Sequence, residues 1–194
     1  MDRETRDMLL ETAGRFFTEL SGKDVVNGVE KGVWPKDLWK EIEEMGLPLI
    51  AVPEAQEGVG GTIADLMALL RVVGEHAVPV PIAETAVANL LISSAGGKPA
   101  TGPSTLALGN LSLQNNRLSG KVARVPFAGV ADRFVSVVTA GGKSTLVVVA
   151  RGEASIDAAP SHAGERHARD FAGEAVVLKG EVAQRQRRRA GGRL

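Results

Sequence analysis

The sequence predicts an α+β protein, in which an N-terminal all-α helical domain precedes a small antiparallel β-barrel or sandwich domain. Two patterns carry this prediction: apolar residues recur at helical spacing up to about residue 95, and short Val- and Leu-rich runs follow from about residue 104. The charge balance also changes sign, because residues 1–97 hold 8 basic and 16 acidic side chains and residues 98–194 hold 15 and 7. We therefore expect a helical domain over 1–100, a β domain over 101–182 and a basic disordered tail over 183–194.

Composition places the chain among soluble globular proteins. Of its 194 residues 44% are apolar and 24% charged, and the net charge is zero. The absence of cysteine excludes disulfides, thiolate metal sites and Cys nucleophiles. No apolar run is long enough to cross a bilayer, and no apolar signal core follows the charged start Met1-Asp2-Arg3-Glu4. These features predict a cytoplasmic protein without a membrane partner.

Four helices are predicted in the first half, over residues 3–20, 36–45, 63–74 and 82–95. In each, apolar residues recur every three or four positions, and glycine or Ser-Gly follows the first, second and fourth. Thr62 and Asp65 have the spacing of a capping box at the start of the third helix. A glycine-rich loop is predicted over residues 54–61.

Five strands are predicted after the Pro- and Gly-rich link 98–103, namely over residues 106–108, 122–125, 133–138, 145–150 and 174–178. Turn signals separate them, at Asn115-Asn116, Ser119-Gly120, Ala128-Gly129 and Gly141-Gly142. Strands this short and closely spaced favour an antiparallel barrel or sandwich over a parallel sheet.

Two loops and the tail have alternative interpretations. Gly58-Val59-Gly60-Gly61 lies before a helix and could cradle a phosphate, but it lacks the Lys-Ser/Thr pair of a P-loop, and a structural turn is favoured. The loop that contains His162 and His167 could bind a metal, although such residues are common in surface loops, and no metal is predicted. The arginines beyond residue 184 could bind nucleic acid, but a solvated end is favoured because no aromatic residue is available for base stacking.

Several motifs together resemble the acyl-CoA dehydrogenase family over roughly residues 1–180. They are Leu38-Trp39-Lys40-Glu41, Glu44-Met45-Gly46-Leu47, Val52-Pro53-Glu54, Gly58-Val59-Gly60-Gly61-Thr62, Val72-Val73-Gly74-Glu75, Pro79-Val80-Pro81-Ile82-Ala83-Glu84-Thr85, Leu118-Ser119-Gly120-Lys121 and Val125-Pro126-Phe127-Ala128. The combination is fairly specific, although each motif alone is weak.

The resemblance implies an FAD-dependent oxidoreductase that dehydrogenates acyl-CoA thioesters in lipid or sterol side-chain degradation. In this family a carboxylate removes the α-proton, and the flavin accepts the β-hydride. The family architecture is a helical domain, a middle β domain and a C-terminal four-helix domain. By resemblance, Glu84 and Thr85 lie on a helix of the substrate pocket, and the chain forms homo- or hetero-oligomers with another acyl-CoA dehydrogenase subunit.

The sequence departs from the family in three places. The C-terminal helical domain, which supplies the family's catalytic Glu, has no counterpart, so no catalytic residue is assigned. The strand that meets the flavin reads Thr105-Leu106-Ala107-Leu108-Gly109-Asn110-Leu111-Ser112 in place of the T-E-P-x-x-G-S type. Ala123 and Val125 stand where an aromatic residue and a threonine are expected. We therefore expect this chain alone to be inactive.

Three hypotheses follow from the match and the departures. The chain is an incomplete member of the family, a non-catalytic partner subunit that has lost its own flavin site, or an unrelated acyl-binding or interaction module. Without a third domain to pack on, the helices at 63–74 and 82–95 are expected to expose an apolar face of several hundred Å².

Overall fold

The computed structural model describes residues 1–114, 117–140, 142–157 and 175–181. Five α-helices form the N-terminal part of the described chain. They are α1 (Arg3–Leu20), α2 (Lys23–Glu30), α3 (Lys36–Glu44), α4 (Ile63–Glu75) and α5 (Ile82–Ser94). We call residues 3–94 the helical part. No helix among the described residues is long and apolar enough to cross a membrane.

The predicted helices are confirmed to within one residue at either end, because their start and stop signals act locally. The Asp2 carboxylate accepts the Thr5 amide at 2.9 Å and caps α1. Thr62 and Asp65 form the predicted capping box, and the hydrogen bonds from Thr62 hold the pKa of the Asp65 carboxyl below its ordinary value. Gly46 follows α3 with a φ of 70°, a left-handed conformation that favours glycine.

Helix α2 is missing from the sequence-based prediction. It has only eight residues, begins directly after the Ser21-Gly22 stop signal and contains Gly28. A helix of this length is stabilised by packing rather than by its own propensity. Val29 supplies that packing on the buried side, and Val25 packs against the main helical core.

The helical part has its own apolar core. Fully buried side chains from α1, α3, α4 and the segment after α3 meet there, among them Ala13, Phe17, Ile42, Leu47, Ile50, Leu66 and Leu69. Trp34 and Trp39 contact each other beside this core, with ring centroids 5.7 Å apart.

The sheet part follows the linker 95–103 and contains seven described strands. They are β1 (Ser104–Leu106), β2 (Leu111–Gln114), β3 (Arg117–Val122), β4 (Arg133–Ala140), β5 (Lys143–Ala150), β6 (Ala154–Asp157) and β7 (Ala175–Glu181). They form a three-stranded sheet in the order β1-β4-β5 and a four-stranded sheet in the order β2-β3-β7-β6.

The predicted α+β class is confirmed, but the predicted barrel is wrong. The described strands form two open sheets without a closing pair. The two sheets pack face to face around Leu118, Val122, Phe134, Val138 and Val147, as in a sandwich.

The antiparallel prediction fails at one strand pair. β1 runs parallel to β4, with Ser104 opposite Arg133 and Leu106 opposite Val135. The physical reason is the chain path: after β1 the chain makes the β2–β3 pair in the other sheet, and it then enters β4 from the end at which β1 began. All other described pairs are antiparallel.

Two local predictions in this part are also wrong. Ser119-Gly120, predicted as a turn, lies inside β3 and pairs with β2. The predicted strand 122–125 ends at Val122, since Arg124 and Phe127 take left-handed backbone conformations with φ values of 59° and 52°. The predictions for the His162–His167 loop and for the tail 183–194 lie outside the described residues.

Candidate functional site at the junction of helix α5 and strand β1

Helix α5 joins the helical part to the sheet part. Its residues Ala88 and Ile92 are buried against Val135 of β4, and Leu106 and Val148 pack on the same cluster. The exposed apolar face predicted for the helix at 82–95 is therefore largely absent, because the three-stranded sheet and the segment at Leu47–Leu49 lie against α5.

Thr85, predicted to lie in the substrate pocket, is fully buried and bound to strand β1. Its hydroxyl oxygen accepts the amide N–H of Ser104 at 3.0 Å, and its O–H donates to the Ser104 carbonyl at 3.1 Å. The side chain thus satisfies both backbone groups of the first residue of β1. Its hydroxyl is occupied in this structure by the link between α5 and β1.

Glu84, the other predicted pocket residue, lies in the first turn of α5 and is partly buried. Burial raises the pKa of its carboxyl above the ordinary value, because the charged form loses hydration. Among the described residues no other side chain donates a hydrogen bond to this carboxyl or pairs with it. Glu84 is therefore the member of the predicted pair that retains an available polar group, and its assignment to a substrate pocket stays a prediction.

Asn89 lies one turn after Thr85 and was missed by sequence reasoning. It is fully buried, donates to the carbonyl of Pro48 at 3.3 Å and accepts the amide of Ala100 at 3.2 Å. The signal in the sequence is a row of polar residues, Thr85, Asn89 and Ser93, spaced four apart on a mostly apolar helix. Such spacing places all three on one helix face.

The glycine-rich loop after Pro53 has no free amide for a phosphate. The N–H groups of Gly58, Val59, Gly60 and Gly61 donate to the carbonyls of Pro53, Leu49, Val52 and Ile50, at 2.8 to 3.2 Å. A Cβ at position 58 would lie 2.2 Å from the Val52 carbonyl oxygen, so glycine is required by the close backbone approach. The interpretation as a structural turn accounts for this geometry.

By resemblance, residues 105–112 and 123–125 would face a flavin, but the side chains found there do not suit flavin binding. The Thr105 hydroxyl is buried and donates to the Pro126 carbonyl at 2.6 Å. Val125 is buried in the core of the sheet part, and Ala123 is exposed but has neither a hydroxyl nor an aromatic ring. Leu108, at the end of this segment, is 63% exposed. At positions 105, 108, 123 and 125 the side chains therefore offer neither a free hydroxyl nor an aromatic ring that would hold an isoalloxazine ring.

No group of three or more potential metal ligands occurs among residues 1–114, 117–140, 142–157 and 175–181. Among the described residues the only histidine is His76, the C-cap residue of α4, whose backbone N–H donates to the Val72 carbonyl at 3.2 Å. Its ring lies 6.1 Å from that of Phe17.

Comparison with known proteins agrees with this geometry. Residues 3–98 match the model of the acyl-CoA dehydrogenase N-terminal domain. A 146-residue stretch, 70% of the chain, is 32% identical to the acyl-CoA dehydrogenase FadE34 of Mycobacterium tuberculosis. The chain belongs to the acyl-CoA dehydrogenase family.

The fold extends this family match into the sheet part. A variant of the Tcur3481–Tcur3483 steroid acyl-CoA dehydrogenase superposes on 94% of the chain with a TM-score of 0.75 and 26% identity. The ChsE4–ChsE5 complex from Mycobacterium tuberculosis superposes on 95%, with a TM-score of 0.73 and 17% identity, and shares the fold.

This acyl-CoA dehydrogenase family member spans only part of its relatives. The matched region covers 35% of the acyl-CoA dehydrogenase IpdE2 of Mycobacterium tuberculosis and 20% of FadE34. It covers 56% of the matched chain in each of the two solved structures. Members of the family typically bind FAD, and the structures similar to this chain include one with bound FAD.

Proposed function

We propose that this chain acts as a non-catalytic partner subunit of a heteromeric acyl-CoA dehydrogenase that oxidises CoA thioesters of lipid or sterol side chains. One observation carries the proposal: at the flavin-facing positions, the Thr105 hydroxyl is bound to the Pro126 carbonyl, and Val125 is buried in the core. A subunit with these contacts would keep the family scaffold while its partner holds the cofactor and the catalytic base.

Two similar structures support a two-subunit assembly. Both the Tcur3481–Tcur3483 steroid acyl-CoA dehydrogenase and the ChsE4–ChsE5 complex carry the names of two components. The steroid substrate class in the first name, together with 26% identity to this chain, is the reason for proposing a sterol-derived thioester.

Exposed apolar side chains offer surfaces for such a partner. Ile63 and Met67 lie one turn apart on α4 and are 62% and 50% exposed, while Leu108 and Val137 are exposed on the sheet part. Isolated exposed apolar residues are common, but a pair on one helix face is a suitable contact for a second subunit. Association through these residues is part of the proposal.

The alternative is a flavin-dependent acyl-CoA dehydrogenase that binds FAD itself. The family match over residues 3–98 favours it, since the family's typical cofactor is FAD. In that case the α-proton would be removed by a carboxylate, and the fold would orient the thioester against the flavin.

A visible spectrum and a calorimetric FAD titration of the purified chain distinguish the two. We expect no flavin absorbance and no FAD binding by the chain alone, and a flavin-containing complex when it is co-expressed with a catalytic acyl-CoA dehydrogenase subunit. Stoichiometric flavin on the isolated chain would overturn the proposal in favour of the alternative.

The Ile63→Ser and Met67→Ser double variant tests the α4 surface in the co-expressed complex. We expect it to lose association, because both apolar contacts are removed from the proposed interface. Met8→Ser, which changes a similarly exposed residue on α1, serves as the matched control and should leave the complex intact.

A further inference from the structure

The linker between the two parts contains one peptide unit that is held at both ends by charged side chains. The N–H of Gly102 donates to the Glu43 Oε1 atom of α3 at 2.5 Å. The carbonyl of the same peptide, on Thr101, accepts from Arg133 Nη2 at the start of β4. An acid of the helical part and a base of the sheet part are thus joined through a single peptide group, although they lie 90 positions apart in the sequence.

Arg133 makes further bonds along the linker. Its Nη2 atom also donates to the Gly102 carbonyl at 3.1 Å, and its Nε atom donates to the Ser104 hydroxyl at 3.2 Å. The planar guanidinium therefore donates to three acceptors, on Thr101, Gly102 and Ser104, with a fixed donor geometry that a lysine ammonium could not reproduce.

The backbone at Gly102 is built for this contact. Its φ of 85° is a left-handed conformation, and a Cβ there would lie 2.3 Å from the Asp132 Oδ2 atom. A side chain at this position would both strain the backbone and displace the Asp132 carboxylate. The close approach of the linker to β4 thus requires glycine.

Further contacts hold the same linker from each side. From the helical part, Asn89 accepts the Ala100 amide and Thr85 binds Ser104. From the sheet part, the Asp132 amide donates to the Pro103 carbonyl at 2.8 Å. These contacts alternate along residues 100–104, so movement of one part against the other would break bonds to both.

We propose that Glu43 and Arg133 are positioning residues that grip opposite ends of the Thr101–Gly102 peptide and fix the angle between the helical part and the β1–β4 sheet. Glu43, Gly102 and Arg133 are half-buried and Thr101 is exposed, and a hydrogen bond in which one partner is charged is stronger than a bond between neutral groups. The inference goes beyond the proposed function, since it concerns the relative placement of the two parts whether or not the chain binds flavin.

Distance measurement between two spin labels tests the proposal in the full chain. Because the chain has no cysteine, Glu11→Cys on α1 and Ser144→Cys, at an exposed position of β5 in the β1–β4–β5 sheet, introduce the two label sites cleanly. Mixing the labelled chain with an excess of unlabelled chain suppresses the contribution of label pairs that lie on two different molecules. We expect one narrow distance distribution for the labelled parent, and a shifted and broadened one for Glu43→Ala and for Arg133→Met.

The neighbouring Glu44→Ala is the matched control, since Glu44 is exposed and forms a surface ion pair with Lys40 at 3.3 Å. It should leave the distribution narrow. The double variant Glu43→Ala, Arg133→Met should broaden the distribution no more than the stronger single variant, because both residues hold one peptide.

Conservative variants separate positioning from a general loss of folding. Glu43→Gln keeps an acceptor oxygen for the Gly102 amide and should restore most of the narrow distribution, whereas Arg133→Lys should remain broad. If Arg133→Met does not fold, Arg133→Lys and Glu43→Gln provide the comparison. A narrow, unshifted distribution in folded Glu43→Ala and Arg133→Lys would overturn the proposal.

Discussion

At the scale of single residues, Glu84 differs from Thr85 and Asn89 of α5 because its carboxyl is partly buried without a hydrogen bond from another described side chain. Thr85 and Asn89 are more deeply buried, yet each exchanges its lost hydration for two protein hydrogen bonds. The Glu84 carboxyl makes no such exchange with another described side chain, and burial raises its pKa. A residue that costs stability in this way is a candidate for binding, because a ligand group could satisfy it.

Replacing Glu84 by Gln should increase the free energy of unfolding at neutral pH. A carboxyl whose pKa is higher in the folded than in the unfolded chain lowers stability as pH rises from its ordinary value of 4.5 through the folded pKa. The increase in the free energy of unfolding should therefore disappear below pH 4.5, where the carboxyl is protonated in both the folded and the unfolded chain. Urea unfolding across this pH range measures it.

Glu19→Gln, on the exposed side of α1, is the control for the change from carboxyl to amide. An equal effect of the two substitutions at every pH would show that the burial of Glu84 has no energetic consequence.

At the scale of elements, α5 is held by polar contacts as much as by its apolar face. Its apolar residues pack on the β1–β4–β5 sheet, which removes the exposed face expected from the sequence. Thr85 then fixes where along the helix β1 begins, because both backbone groups of Ser104 bind its hydroxyl. Apolar contacts are non-directional, so this register depends on the hydrogen bonds.

The substitution Thr85→Val should reduce the free energy of unfolding by about 1–3 kcal/mol, because it preserves the shape but leaves the Ser104 N–H and C=O buried without a partner. Chemical denaturation gives the value. Thr12→Val, at an exposed position of α1, controls for the intrinsic effect of the exchange and should change stability little. Equal losses in the two variants would contradict the role of the Thr85 hydroxyl.

At the scale of the whole molecule, a small apolar cluster couples two larger cores. The helical core and the sheet core are separate, and Ala88, Ile92 and Val135 form the buried cluster between them. Because this cluster and the hydrogen bonds of Glu43 and Arg133 to the linker connect the two parts, we expect the two parts to unfold together in the parent chain.

The substitution Ile92→Ala should cost about 2–5 kcal/mol and should separate the unfolding of the two parts, since it opens a cavity in the cluster that joins them. Tryptophan fluorescence reports the helical part, where Trp34 and Trp39 lie, and a fluorophore on Ser119→Cys reports the sheet part. Met8→Ala, at an exposed site, should keep the two transitions coincident. Coincident transitions in Ile92→Ala would show that the cluster does not provide the coupling.

Local features of the sequence predicted most of the helices and the position of the change to strands. The capping box at Thr62 and the left-handed Gly46 act within one turn, so the signal and its effect lie together in the sequence. The pairing of strands depends instead on distant segments, and for that reason the sequence did not predict the parallel β1–β4 pair and did not decide between a barrel and a sandwich of open sheets.

The candidate site was predicted only in part. The motifs point to Glu84 and Thr85, but they do not show that the Thr85 hydroxyl binds β1 while no other described side chain pairs with the Glu84 carboxyl. Asn89, Glu43 and Arg133 were missed, because their partners lie 11 to 59 positions away in the sequence.

The sequence by itself determined the helices, their caps, the transition to short strands and the resemblance to a family, since all of these depend on residue types at short spacing. Only the tertiary structure decided that the sheets stay open, that α5 is covered and that one linker peptide is gripped from both sides. The physical reason is that apolar patterns specify which faces are buried, whereas directional hydrogen bonds between distant residues specify what covers those faces and at which angle.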